Sequence, residues 1–328
     1  MLGILFGVLA AASFGFNNAS ARRGVLSGGA IQGLVISMPI GMAMFGVLAW
    51  VFGQWPMYAR ITWAEVSFLA AGGFMHFVWG RYCNIRSLAA VGSNLAGPVQ
   101  QAQLLLSLAL AIILLGETLS PFKILGILLI IGAPAYILRS RAKAAVTASS
   151  GAAAKPAFTP RMAEGYVFAL LSAVGFGTSP ILVKAGLAGT GASLVGRFIS
   201  CIVATAVVVL LLLIPSQLDE ARRMNRESVK WFTLSGVGVS FSHLFRYLAL
   251  GLAPVTVVQP LQSMSLLFRM IFGYFINRDH ESFDRYVIVG ILLSFAGALS
   301  LSLSDETVLR HVSLPDWLAG IAAWRWPR

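Results

Sequence analysis

The sequence predicts an all-α, polytopic membrane protein of ten transmembrane helices arranged as an inverted repeat of five plus five. Three observations carry that prediction. Of the 328 residues, 58% are hydrophobic and only 11% are charged, with a mean hydropathy of +0.82; a soluble domain has about a quarter charged residues. The chain contains ten apolar runs near the roughly 20 residues a helix needs to cross the hydrocarbon of a bilayer. Finally, its two halves repeat one another at matched positions.

The first run, residues 2–20, opens on MLGILFGVLAAASFG. A signal peptide also joins an apolar stretch to small residues, but this one lacks a positive start and its continuation recurs later, so it reads as the first span. Runs at 29–51, 63–83, 88–115 and 121–138 complete the first half, and runs at 164–186, 190–214, 230–250, 254–276 and 285–303 make the second. Between them, residues 139–163 (RSRAKAAVTASSGAAAKPAFTPRMA) are rich in Ala and Ser with interspersed Lys, Arg and Pro, the composition of a solvated linker. The expected division is a first five-helix repeat at 1–141, a linker at 142–162, an inverted second repeat at 163–303 and a tail at 304–328. The tail's SLPDWLAGIAAWRWPR is too short and too charged to span; Trp317, Trp324 and Trp326 with Arg325 and Arg328 suit an amphipathic helix lying in the membrane interface.

The repeat is visible residue by residue. FGFNNASARRG (Phe14 to Gly24) aligns with FGTSPILVKAG (Phe176 to Gly186), pairing Phe14 with Phe176 and Arg22 with Lys184. The same register pairs Pro98 with Pro260, Gln100 with Gln262 and Glu117 with Asp279, and a slightly longer spacing pairs Arg81-Tyr82 with Arg246-Tyr247. An odd number of spans per copy turns the second copy upside down, and the charges agree. Arg22, Arg23, Arg81 and Arg86 in the first and third connectors outweigh Arg60 and Lys123 in the second and fourth. In the second half the bias reverses, with Lys184 against Arg222, Arg223, Arg226, Lys230, Arg278 and Arg285. The positive-inside rule then places the linker in the cytoplasm and both termini outside. The net charge of +12 therefore concerns topology, and no nucleic-acid partner is expected.

These residues also resemble a family. FGFNNASARRG and FGTSPILVKAG are similar to the first-helix signature of the EamA-type branch of the drug/metabolite transporter superfamily, an aromatic-Gly pair followed by small polar residues and a Lys or Arg. LLGETLSPFKILGILLIIGA (Leu114 to Ala133) resembles the family's link between fourth and fifth helices, and GRFIS (Gly196 to Ser200) its second-helix Arg-Phe pattern. The resemblance implies a ten-helix inverted-repeat carrier of small metabolites, amino acids or drugs, with its substrate between the halves.

Polar side chains at membrane depth are costly against lipid, so they should face a cavity or a partner helix. Gln100 and Gln103 lie three apart near the middle of the fourth run, and Gln259 and Gln262 repeat the spacing in the ninth. Pro98 and Pro260 each free a backbone carbonyl one turn earlier, and interrupted helices of this kind line the sites of inverted-repeat carriers. The expected substrate-binding set is thus these four glutamines, the repeat-paired Asn17 and Ser179, and His76, His243, Arg246, Tyr247 and Arg269. Gly72, His76 and Gly80 recur at helical spacing in the third run, as do Gly236, Ser240, His243 and Tyr247 in the eighth. Arg81, near the end of the third run, is expected to snorkel to the interface, and Arg197 to be structural.

No carboxylate falls in mid-run, which disfavours a cationic-drug exporter, whereas the buried bases favour a neutral, zwitterionic or anionic solute. The expected function is a secondary transporter, an exporter in the plasma (inner) membrane, of a small metabolite such as an amino acid or organic acid. Its two halves would alternate access, with protons or a counter-substrate as coupling partners and His76 or His243 carrying any proton. A channel or non-transporting scaffold is the alternative. GxSxG, HExxH and the P-loop pattern are absent, so neither an enzyme nor an ATP-driven pump is expected. Cys83 and Cys201 stand alone in apolar segments, giving no disulfide, metal or cofactor site. Both a monomer and a homodimer fit.

Overall fold

The computed structural model describes residues 2–115, 120–148, 159–187, 189, 193–252 and 261–303, and among them it is helical with no strand. Among the described residues five helices are long and apolar enough to cross a membrane: α1 (Leu2–Gly24), α2 (Ala30–Val51), part of α7 at Pro121–Ser140, part of α8 at Met162–Val183, and the whole of α9 at Ser193–Leu211. Their full ranges are Pro121–Ala148, Met162–Gly186 and Ser193–Leu211. The tenth run is one shorter apolar helix, and the third and fourth are broken for reasons readable in their residues.

The third run starts at a capping box. The Thr62 hydroxyl accepts the Glu65 backbone N–H at 3.3 Å while the Glu65 carboxylate accepts the Thr62 N–H at 2.7 Å, satisfying two donors of the first turn. From there α3 (Trp63–Gly73) passes into a π-helical segment (Phe74–Gly80) and resumes as α4 (Arg81–Val91). The expected end near residue 83 is therefore a correction: helix continues to Val91. RYCNIRS reads as an exit to water only if its polar groups face water. Instead Asn84 Nδ2 donates to Asn18 Oδ1 at 3.2 Å, and the Ser87 hydroxyl to the Gly165 carbonyl at 2.9 Å. Helix partners, not lipid, surround this stretch.

Gly92 makes the break. Its φ of 81° lies in the left-handed region that favours glycine, and the chain restarts as α5 (Ser93–Gln100), then turns at Gln101 into α6 (Ala102–Leu115). The fourth run is thus two helices, with Pro98 inside the first. Further on come the short α10 (Pro215–Arg222), α11 (Arg226–Leu252), α12 (Ser265–Asn277) and α13 (Arg285–Leu303). The first part of the ninth run, 254–260, and the tail, 304–328, lie outside the described residues, as do residues 149–158 of the linker, while residues 139–148 continue α7.

The helix faces carry the membrane signature. On α7, Ile130, Ala133 and Ile137 are buried while Leu125, Leu128 and Ile131 are exposed, so the outward face is as apolar as the inward one. Small residues replace hydrophobic burial as the means of packing. A Cβ on Gly126 would come within 2.8 Å of the Gly297 carbonyl oxygen, and one on Gly297 within 3.0 Å of the Gly126 carbonyl, so α7 and α13 touch backbone to backbone.

The chain packs as two compact units. One draws on Met1–Phe16, Val91–Arg161 and Phe241–Arg328; the other on Asn17–Ala90 and Met162–Ser240. Each unit combines segments from both halves of the sequence repeat, so the repeat describes the chain's internal symmetry while packing follows a different division. In the second unit α2 packs on α9, and α3 on both α8 and α9. In the first, α7 packs along α13, and α5 lies against α12.

Candidate functional site

The most polar buried cluster of the second unit is centred on Arg81, only 5% exposed. Its Nε donates to Ser37 Oγ at 3.0 Å, its Nη1 to Asn17 Oδ1 at 3.3 Å and its Nη2 to Ser235 Oγ at 3.1 Å. The partners come from α2, α1 and α11 and are held in place by bonds of their own. Ser235 donates to Asn17 Oδ1 at 2.7 Å, and Ser37 donates to the Gly33 carbonyl one turn back. Among the described residues every hydrogen-bond partner of Arg81 is uncharged. The expected snorkelling of Arg81 is corrected: the guanidinium is buried and all three of its nitrogens donate to neighbouring helices. Of the expected site residues, Asn17 belongs to this cluster; Ser37, Ser235 and Arg81's own role were missed. The only sequence signal was the pairing of Arg81-Tyr82 with Arg246-Tyr247, since a serine in an apolar run has no distinguishing context.

In the first unit the corresponding feature is Arg269 on α12, 4% exposed. Its Nη1 donates to Gln100 Oε1 at 2.9 Å and to the Ser93 carbonyl at 3.3 Å. Two predicted residues, Gln100 and Arg269, are thereby brought together. A third, unpredicted group completes the cluster. The Glu281 carboxylate, buried although it belongs to the connector before α13, accepts the backbone N–H groups of Ser93 and Asn94 and acts on the charge of Arg269. An anion at the start of a helix is favourably placed, because the first N–H groups lack intrahelical partners.

The remaining expected residues are placed separately. Gln103 and Gln262 are half-buried and helical; the turn at Gln101 separates Gln103 from Gln100, so the two do not share one uninterrupted helical face. Ser179, buried, donates to the Gly72 carbonyl at 3.0 Å. His76 is half-buried between aromatic rings, 4.8 Å from Phe77 and 4.9 Å from Phe176 between centroids. It lies in the π-helical segment, where bonds run from i to i+5 and residues four apart fall short of a full turn, so Gly72, His76 and Gly80 do not continue as one α-helical stripe. His243 is buried and Arg246 half-buried, both in the first unit's part of α11. Gln259, Pro260 and the Tyr247 side chain lie outside the described residues. Arg197 stacks over the Phe77 ring at 4.1 Å and over Phe45 at 5.5 Å, a cation–π seat suited to a structural role. Arg86 forms an ion pair with Glu164 at 2.9 Å.

A buried base set among hydroxyls and an amide, as Arg81 is, can hydrogen-bond a polar solute and neutralise negative charge on it. Among the described residues no group of His, Cys, Asp and Glu is arranged to hold a metal ion. A solved crystal structure, 16% identical, aligns with 95% of this chain and 99% of its own length at a TM-score of 0.55, which shows a shared fold. No curated protein matches the sequence. The profile of the EamA-like transporter family matches residues 1–139 and again residues 163–303, one copy on each half of the repeat. The chain therefore belongs to the EamA-like transporter family of multi-pass membrane transporters, within the drug/metabolite transporter superfamily.

Proposed function

We propose that this transporter carries a small metabolite without net positive charge, a neutral, zwitterionic or anionic solute such as an amino acid or organic acid, and that it exports it by alternating access. The observation that supports this reading is the company kept by Arg81, a buried cation whose hydrogen-bond partners are all neutral. A positively charged solute brought against that group would meet uncompensated repulsion, whereas an anion would supply the missing charge. In the other unit Gln100, beside Arg269, offers an amide that binds without selecting for cations. The charge bias of the connectors supports a cytoplasmic linker in the plasma (inner) membrane, with Gln103, Gln262, His76, His243 and Arg246 as secondary candidates for the solute path.

The test is a thermal-shift and counterflow screen of the purified full chain in detergent and in proteoliposomes, against amino acids, carboxylates, phosphate monoesters and cationic dyes. A solute at 100 times its dissociation constant stabilises the protein by about 2.7 kcal/mol, which a melting curve resolves. Stabilisation and saturable counterflow with anionic or zwitterionic solutes are expected. Stabilisation by cationic dyes alone would overturn the reading.

A further inference from the structure

The geometry points to a specific oxyanion site: Arg81, framed by Asn17, Ser37 and Ser235, receives a carboxylate or phosphate group of the transported solute. This rests on the proposal above that the solute is not cationic, and it names the atoms that would select it.

The argument begins with donor accounting. A guanidinium carries five N–H donors in a planar fork. Arg81 gives its Nε–H to Ser37, one Nη1–H to Asn17 and one Nη2–H to Ser235. Asn17 Oδ1 and Ser235 Oγ stand 2.7 Å apart across the two terminal nitrogens, so these neutral oxygens hold the place on the fork that a carboxylate or phosphate takes in bidentate fashion once it displaces them. The second step is charge. Among the described residues, no carboxylate comes within ion-pair distance of Arg81. Arg86, by contrast, has Glu164 at 2.9 Å. A buried charge without a counter-ion is expensive to keep, and three neutral dipoles offset it only in part. The third step is position. Arg81 is the first residue after the π-helical turn Phe74–Gly80. Such turns are rare and concentrate at functional sites. This one is accommodated by close packing on α8, where a Cβ on Gly175 would come within 2.5 Å of the Met75 carbonyl oxygen.

The framing residues explain how the site stays ordered without solute. Asn17 Oδ1 accepts from both Arg81 and Ser235, and Ser37 is anchored on Gly33, so the fork is oriented in advance and an oxyanion has only to displace Asn17 and Ser235 from it. Arg81, Asn17, Ser37 and Ser235 are all buried, so the described conformation is one in which this site is closed.

Asn17→Asp is the decisive variant. It keeps the shape of the side chain and places a carboxylate on Arg81, supplying from the protein the charge proposed to come from the solute. The readout is thermal stabilisation and counterflow with succinate, L-glutamate, sn-glycerol 3-phosphate and rhodamine 6G, using the reconstituted full chain. The inference expects the variant to melt at or above the wild-type temperature while its affinity for the anions that stabilise wild type falls at least tenfold. Carboxylates alone affected, or phosphate monoesters alone, identifies which oxyanion the site takes. Wild-type anion affinity in Asn17→Asp would overturn the site while leaving the functional reading standing; wild type responding only to rhodamine 6G would overturn both. Should the aspartate variant not fold, Arg81→Lys keeps the charge and removes the fork. A tenfold loss of anion affinity with unchanged affinity for the uncharged amide analogue succinamide supports the site, and an equal loss for both overturns it.

Discussion

Arg81 and Arg269 are buried to almost the same degree, yet they are stabilised in different ways. Arg269 shares the Ser93 backbone with Glu281: the arginine donates to the Ser93 carbonyl and the carboxylate accepts the Ser93 N–H, with Gln100 closing the other side. A carboxylate of the protein is thus held on the same backbone as this charge, while the buried Nε of Arg269 has no hydrogen-bond partner among the described residues. Arg81 meets two hydroxyls and an amide oxygen, all neutral. The difference separates two uses of a buried cation in a membrane bundle. An arginine with a carboxylate held on the same backbone locks a broken helix to its neighbour, here α5 to α12. An arginine that meets only neutral groups leaves its charge open to one that a ligand brings.

The sharpest way to break this comparison is to remove the counter-charge. Glu281→Gln removes the carboxylate that accepts two N–H bonds at the start of α5, and should destabilise the fold by about 2–3 kcal/mol. Arg81→Gln strands no charge, since Ser235 and Asn17 keep each other and Ser37 keeps Gly33, and should change stability by only about 1 kcal/mol. Chemical unfolding in detergent measures both, and the reverse ranking would refute the contrast. A double-mutant cycle over Arg269→Gln and Glu281→Gln should then show coupling of about 2 kcal/mol, as for residues sharing one network. Additive losses would mean that Glu281 acts on the α5 backbone alone. Gly92→Ala comes next. It forces a side chain into φ 81°, a conformation costing roughly 1–2 kcal/mol. Its Cβ would also press within 2.6 Å of Glu281 Oε2, loosening the same network from its other end. Thermal unfolding should place this variant between wild type and Glu281→Gln.

How much of this was open to a reader of the sequence depends on the kind of signal each residue leaves. The spans and the repeat were legible because lipid-facing and core-facing positions are both apolar, so long runs such as Ala30–Val51 stand out without periodicity. Gln100 and Arg269 were legible as polar groups inside such runs, though not as partners, because their meeting depends on the packing of α5 on α12. Arg81 was misread for a physical reason. RYCNIRS is polar enough to mimic an exit into water, and composition does not distinguish a helix leaving the membrane from one surrounded by Asn18, Gly165 and Ser235. The π-helical turn before it has no compositional mark at all. Glu281 was hidden in the opposite way, a carboxylate in a connector that folds inward rather than meeting solvent.

The smallest effect is expected at Ser179, and it bears directly on the contrast because the repeat pairs this residue with Asn17. Both are buried on matched helices, but Asn17 orients a cation whereas the Ser179 hydroxyl is spent on the Gly72 carbonyl, joining α8 to α3. Ser179→Ala removes one neutral hydrogen bond and leaves a carbonyl that still has its helical N–H partner, so stability should fall by about 1 kcal/mol or less. Counterflow should stay at the wild-type rate, with unchanged half-saturation for every anion that stabilises the protein. A selective rise in half-saturation for anions would place Ser179 on the solute path and show that the pair kept one function in both copies. Unchanged transport, set beside a loss in Asn17→Asp, would show that the two copies of the repeat have parted, one member binding and the other packing.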